Sequence, residues 1–305
     1  MDEGVSRLGE RSRPQLPSPA VVSAAVPDWS FAFARHTAAG ERAYQSCVAR
    51  YFCLSTQRTG GASAGAYSSL NLSSAQDDDP QHVRLNRQAL ERLLPWPSVY
   101  MRLDHGCALL DADELLAQDP QRQAEIPVAD AAVLTRPGLS LVMLTADCLP
   151  VVIADDEGRG LAMAHAGWRG LAAGVIETAA RALASRLGSA RLVAWIGPGI
   201  GAAAFEVRSD VIGHFPVDER GGAFFRPRDA RRFPGKWMGD LAALARKRCA
   251  DLGITRVGGG LWCTWHDTER FFSYRRQGLS GRLGTVIALR FPSSQALVDP
   301  VAAQP

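Results

Sequence analysis

Residues 145–170 read TADCLPVVIADDEGRGLAMAHAGWRG, in which two apolar runs, VVIAD and GLAMAH, flank the polar segment DEGR. Two strand-like runs joined by a short polar link containing Gly make an antiparallel hairpin. With the turn centred near residues 157 and 158, residue 150 falls opposite about residue 165. Cys148 and His165 then arrive at the same end of the ribbon. Directly opposed side chains in such a pair stand about 5 Å apart and diagonal ones about 7–8 Å, close enough to share an ion. AGWRG next opens a helix, so this corner lies near a helix N-terminus, where free N–H groups and the macrodipole favour anions. Arg169, in the first turn, opposes that dipole and points to an anionic ligand or a carboxylate partner.

Three readings of the pair stay open at this level. Cys148 and His165 can be core residues, since free Cys is among the most buried residue types. They can be a thiolate nucleophile and its base. They can be two ligands of a metal, and thiolate with imidazole suits zinc, whose catalytic sites keep three protein ligands and one open position. Their convergence at strand ends beside Asp147, among Gly-rich turns, weighs against the first reading. A metal needs a third ligand. His36, His82, His214 and His266 sit in irregular or polar segments, whereas His105 follows the strand-like VYMRL and precedes Gly106, which makes it the best candidate.

The chain has 305 residues, 34 basic and 31 acidic side chains and a net charge of +3, with Arg scattered rather than gathered into a stripe. Nucleic acid is therefore not an implied partner. No run approaches the roughly 18–20 apolar residues that span a bilayer, and MDEGVSRLGERSRP lacks the apolar core of a secretory signal. A cytoplasmic protein without a membrane partner is the expectation. Six Cys with no CxxC pair fit free thiols in a reducing compartment.

Residues 1–27, rich in Arg, Pro, Ser and Ala, read as a loose extension, and the segment from 293 to 305 as a flexible tail. Between them RQALERLL, WRGLAAGVIETAARALASRLG and DLAALARKRCADLG read as helices, and LSLVMLTA, RLVAWIG and GTVIALRF as strands. They interleave without a regular βαβ rhythm, so a mixed α/β fold is expected rather than a doubly wound parallel sheet.

Several blocks together resemble one family. ADAAVLTRPGLSLVMLTADCLPVVIAD, AMAHAGWRGLAAGVIETA, IGPGIGAAAFEV and FFSYRRQGLSGR, with GGASAGAYSSLNL and DDDPQHVRLNRQAL before them, are similar to the purine nucleoside phosphorylase/laccase-domain family, once called multicopper polyphenol oxidases. The resemblance runs in order from about residue 50 to residue 292. It implies a single α/β domain over 28–292 with mixed sheets between helical layers. It also implies zinc, rather than copper, held by His105, Cys148 and His165. The activity implied is phosphorolysis of adenosine, inosine, guanosine or methylthioadenosine, with some adenosine deamination. The partners are then purine nucleosides and phosphate; no motif sets an oligomeric state.

For that chemistry the candidates are Asp147 as an acid, base or orienting group and Arg58 and Arg169 as cations for phosphate, with Arg276 as a further cation. Asn71 can hydrogen-bond ribose or base, and Phe205 and Tyr274 can stack on a purine. Asp130 and Glu206 read as structural. The chain departs from the family pattern at Leu103 and Asp104, where LDHG replaces QVHG, and at Ala75, Asp77 and Gly199; residues 31–48 look inserted. Two other activities fit the resemblance less well: a hydrolase that edits UDP-muramoyl-L-serine, using Cys148 as nucleophile, and laccase-like phenol oxidation. The latter needs several His clusters, and six His with no HxH pair supply none.

Overall fold

The computed structural model describes residues 24–25, 50–117, 126–188 and 191–291. The expected insertion at 31–48 and the tail at 293–305 lie outside these residues. Of the expected N-terminal extension, only Ala24–Ala25 is described; it forms strand β1, antiparallel to Tyr51–Thr56 (β2).

Two large sheets stack face to face between helices. The first has the order β1-β2-β14-β6-β3, with β3 at Ser98–Tyr100, β6 at Ser140–Thr145 and β14 at Leu283–Leu289. The second has the order β13-β9-β7-β8-β5-β4, built from Leu109–Asp111 (β4), Ala131–Leu134 (β5), Leu149–Asp155 (β7), Leu161–Ala166 (β8), Leu192–Ile196 (β9) and Val257–Gly259 (β13). A small third sheet joins Glu206–Arg208 (β10), Phe225–Pro227 (β11) and Lys236–Gly239 (β12) in the order β10-β12-β11. The helices are Pro80–Glu91 (α1), Ala112–Ala117 (α2), Trp168–Ala173 (α3), Val175–Leu187 (α4), Ser209–Ile212 (α5), Leu241–Asp251 (α6) and Tyr274–Gln277 (α7).

The period-two alternation of a strand decides which layer each side chain joins. Val151 and Ile153 of β7 pack with Ala162 and Ala164 of β8 against Ile176, Ala179 and Leu183 of α4 and Leu244 of α6. Their neighbours Val152 and Ala154 point to the other face and meet Leu141, Met143 and Ile287 of the first sheet. The far face of that sheet, with Leu54, Val142 and Val286, is covered by Leu90 of α1. A strand buried on both faces has no polar side, and every residue of β7 is buried. The mixed α/β fold with sheets between helical layers is thus what forms.

The hairpin takes the expected register, with Pro150 opposite His165 and Leu149 opposite Ala166, and Gly158 at φ 80° carries the turn. One expectation is corrected: WRGLAAGVIETAARALASRLG is not one helix. Gly174, at φ 88°, ends α3 by donating its N–H to the carbonyls of Gly170 and Leu171, and α4 starts afresh at Val175. The break lets α3 stay beside the hairpin end while α4 lies across the sheet. Helix α1 begins earlier than RQALERLL suggests, at Pro80, because Asp79 caps it by accepting from the Gln81 N–H at 2.7 Å. Among the described residues no helix is long and apolar enough to cross a membrane, and Cys53, Cys107, Cys148, Cys249 and Cys263 are free thiols.

Because a side chain at Gly174 would force a left-handed L-residue at the joint, Gly174→Ala is expected to lower stability by about 1–2 kcal/mol. A denaturant titration of the two proteins measures this as a lower midpoint with an unchanged slope.

Candidate metal centre

The hairpin end delivers two of the three candidate ligands and a loop delivers the third. His165 is on β8, Cys148 immediately precedes β7, and His105 lies in the turn between β3 and β4 at φ 61°. One ligand atom from each lies within 4.8 Å of the others, and the two imidazole centroids are 4.8 Å apart. Gly167 stands where the pairing would continue opposite Cys148; a Cβ there would come within 2.6 Å of the Cys148 Sγ. Only glycine leaves the sulfur its place.

A single buried carboxylate orders both histidines. Asp130 is fully buried, and its Oδ1 lies 2.8 Å from His165 Nδ1. The same carboxylate accepts the backbone N–H groups of Asp104, His105 and Gly106 at 3.2, 2.9 and 2.9 Å. Three successive amides converging on an anion form a nest, which explains how a non-glycine residue holds a left-handed conformation at position 105. With Nδ1 turned to Asp130, His165 keeps Nε2 for the cavity. Burial raises the Asp130 carboxyl, but the bonds from His165 and the loop amides outweigh it and hold it below the usual range. Asp130, read from the sequence as structural, is thus a part of the centre that sequence reasoning missed; ADA gives no local signal for contacts 25 and 35 residues away.

The thiol is prepared in the same way. Burial alone would raise the Cys148 thiol, yet the neighbouring His165 and His105 bring it down to about 6. Burial would lower His165, and the adjacent Cys148, together with Asp130, lifts it to about 9. The metal-free pair is therefore a thiolate beside an imidazolium at neutral pH. By contrast, burial pushes Cys249 up to about 12 and leaves it inert. One thiolate and two imidazoles suit a metal ion held by three protein ligands.

The cavity has a volume of about 690 Å³ and contains His105, Cys148, His165, Asp147 and Arg169 in its wall. Asp147 is at φ 87°, with Oδ1 accepting from Thr264 Oγ1 and Oδ2 from the Arg275 N–H, each at 2.6 Å. Arg169 stacks over the Trp168 ring at 4.6 Å. Phe205 and Tyr274 also line the cavity, as does Leu103. A Cβ at Gly199 would lie 2.3 Å from Leu149 Cδ2 and 3.0 Å from the Asp147 carbonyl oxygen, so a side chain there would require Leu149 to shift.

Three expected site residues are not brought into the cavity wall. Arg58 donates to the carbonyls of Ser68 and Thr268. Arg276 spends its guanidinium on the carbonyls of Thr264, Trp265 and Phe271. Asn71 is fully buried, bonded to Asp78 and to the Arg282 N–H. In each case the side chain ties loops together, a task that a short motif does not distinguish from ligand binding. Glu206 pairs with Arg228 and Lys236.

Two measurements follow from this geometry. Asp130→Asn puts an N–H₂ donor against N–H groups, and a loss of about 10–100-fold in metal affinity is expected by chelator competition. Because a metal requires neutral His165, binding well inside the window between about 6 and about 9 should release close to one proton per ion from this pair, rising towards the acid end as the Cys148 thiol protonates and falling towards the alkaline end as His165 deprotonates. Calorimetry in buffers of different ionisation enthalpy reads that number.

Residues 52–290 match the family model described as multi-copper polyphenol oxidoreductase laccase. A purine nucleoside phosphorylase of Pseudomonas aeruginosa is 39% identical over 237 residues, covering 77% of this chain and 92% of that protein. One of Xylella fastidiosa is 45% identical over 242 residues, covering 76% and 90%. A crystal structure of a Neisseria meningitidis protein superposes with a TM-score of 0.71 at 38% identity, covering 80% of this chain and 96% of that one. The chain is thus similar to proteins named for phosphorolysis and matches a model named for copper oxidation, and it belongs to the multi-copper polyphenol oxidoreductase laccase family.

Proposed function

We propose that the chain is a zinc-dependent purine nucleoside phosphorylase, acting on adenosine, inosine, guanosine and methylthioadenosine, with adenosine deamination at the same site. The observation that carries this reading is a cavity whose wall combines a His105–Cys148–His165 ligand set with guanidinium groups and aromatic side chains. The names of the relatives favour the same activity. One thiolate and two imidazoles are a poor match for copper oxidation, which needs further His clusters, and no second such group occurs among the described residues.

Zinc held by His105, Cys148 and His165 would supply a Lewis acid to polarise or orient a substrate oxygen. The chain's own residues do the rest. Arg169, Arg275 and Arg282 line the cavity and neutralise the attacking phosphate by charge-assisted hydrogen bonds. Arg275 Nη1 also donates to the Glu206 carbonyl and Arg282 Nη1 to the Ser280 and Gly281 carbonyls, which leaves their other N–H groups for the ligand. Phe205 and Tyr274 offer ring faces to the purine; the guanidinium of Arg275 lies 5.3 Å over the first and that of Arg282 5.6 Å over the second. Asp147 is a positioning residue: by accepting from Thr264 and from the Arg275 N–H it fixes the start of α7 against the ligand loop. Phosphorolysis breaks the bond between ribose C1′ and the purine nitrogen and joins a phosphate oxygen to C1′. Holding both reactants in one cavity removes much of the entropic barrier to that exchange.

Metal-loaded protein is expected to release adenine or hypoxanthine from the nucleoside only when phosphate is present, and chelation should stop the release until zinc is restored. Ammonia formation reports the deamination separately. Base release that ignores phosphate, or none at all from metal-replete protein, rejects the assignment. Arg169→Ala is expected to raise KM for phosphate about tenfold or more, the value of a charged hydrogen bond.

A further inference from the structure

Five arginines, Arg87, Arg102, Arg169, Arg275 and Arg282, line the cavity against two anionic groups, the Asp147 carboxylate and the Cys148 sulfur. Both Asp147 oxygens already accept hydrogen bonds. Among the described residues none of the five forms an ion pair, whereas Arg159, Arg186, Arg228 and Arg248 elsewhere all pair with acids. Unneutralised cations gathered around a cavity mark the place of an anion.

The five divide by position. Arg169 follows the ligand His165 by four residues, Arg275 donates its N–H to the neighbour of Cys148, and Arg282 stands over Tyr274. These three surround the ligand end. Arg87 and Arg102 line the part of the wall formed by α1 and by the segment that runs from β3 towards His105. Arg87, on α1, lies 4.0 Å over the ring of Tyr100. Tyr100 pairs with Val142 of β6, so at a rise of about 3.3 Å per residue Thr145 is roughly 10 Å further along, with Cys148 beyond it. Arg102 lies two residues beyond Tyr100 and three before His105 and lines the same cavity.

Structural work does not exhaust these two side chains. Arg87 uses Nε on the Leu72 carbonyl and Nη2 on Ser74 Oγ, which leaves Nη1 unbonded among the described residues. Its helical neighbour Glu91, one turn on, instead accepts from Ser98. Arg102 is exposed, and its guanidinium has no hydrogen bond or ring contact among the described residues. Ser73, Ser74 and Gln76 line the cavity near Arg87 and add hydroxyl and amide groups. Inorganic phosphate is one anion, and Arg169, Arg275 and Arg282 offer N–H donors for it. A neutral nucleoside brings nothing to offset the desolvation of Arg87 as the cavity fills.

We propose that the substrate brings its own anion: the cavity takes purine nucleoside 5′-monophosphates in preference to nucleosides, with Arg87 and Arg102 holding the 5′-phosphate. The proposal rests on the phosphorylase reading for the reaction and on the two arginines for the preference. In that reaction the bond from C1′ to the purine nitrogen breaks and its electron pair leaves with the base. An oxygen of inorganic phosphate bonds to C1′, the proton given up by the phosphate passes to the base, and the sugar product is ribose 1,5-bisphosphate.

Calorimetric titration of the metal-loaded protein with inosine and with inosine 5′-monophosphate, without added phosphate, tests the preference apart from turnover. The monophosphate is expected to bind at least tenfold more tightly, as one or two charged hydrogen bonds imply. In Arg102→Met, whose exposed side chain supports no other contact, that ratio should fall several-fold, and in Arg87→Met/Arg102→Met it should approach one. A thermal melt of each variant verifies folding, and the ratio is internal to each protein. Equal affinity of the two ligands for the unmodified protein, or a ratio unchanged in Arg102→Met, overturns the proposal. A preference that holds while no base is released under any phosphate condition leaves the anion subsite standing and removes the phosphorylase reading instead. Ribose 5-phosphate and inorganic phosphate, titrated as separate probes, distinguish recognition of the nucleotide from that of any phosphate; displacement of the monophosphate by inorganic phosphate at equal affinity also overturns the proposal.

Discussion

The centre depends on the Asp130 carboxylate. It is fully buried, and it can stay charged there only because four donors converge on it: three successive amides of residues 104–106 and His165 Nδ1. A buried anion is costly unless it is satisfied in this way. The consequence runs outward in two directions, since the same group bends the loop that carries His105 and fixes the ring that carries the second imidazole. Removing it would loosen two ligands at once.

Around that anchor the sheet does the positioning. The pairing of Pro150 with His165 brings Cys148 to Gly167, and Gly167 has no side chain to displace the sulfur. Strand β7 is buried on both faces and flanked by β8 and β9, so this register is held by the apolar contacts of two layers. A slip by one residue would turn Val152 and Ala154 from one layer into the other. The rigidity of the ligand set is thus inherited from the core rather than supplied by the loops.

Much of this is legible in TADCLPVVIADDEGRGLAMAHAGWRG, because a hairpin's register follows from its turn. The apolar runs and the polar DEGR segment place Cys148 beside His165, and the observed pairing agrees. The helix after it is legible only in part. Its apolar pattern continues across Gly174, whose positive φ nevertheless divides it into α3 and α4. Arg58, Asn71 and Arg276 show the limit of motif reading: they sit in recognisable blocks, yet their polar atoms are bonded to loops, outside the cavity wall. Asp130 shows the reverse, a residue in an unremarkable apolar run whose partners arrive from elsewhere.

By itself the sequence determined the alternating strands and helices, the hairpin with its Cys–His end, and the family resemblance that joins His105 to them. Those features are local in the chain or repeat along it, so periodicity, turn chemistry and block order carry them. The tertiary structure alone decided which charged groups share the cavity. Arg87, Arg102, Arg169, Arg275 and Arg282 come from five places in the chain, and only the stacking of two sheets sets them around one space. Whether a guanidinium faces a ligand or a backbone carbonyl depends on neighbours distant in sequence, and no spacing rule encodes that distance.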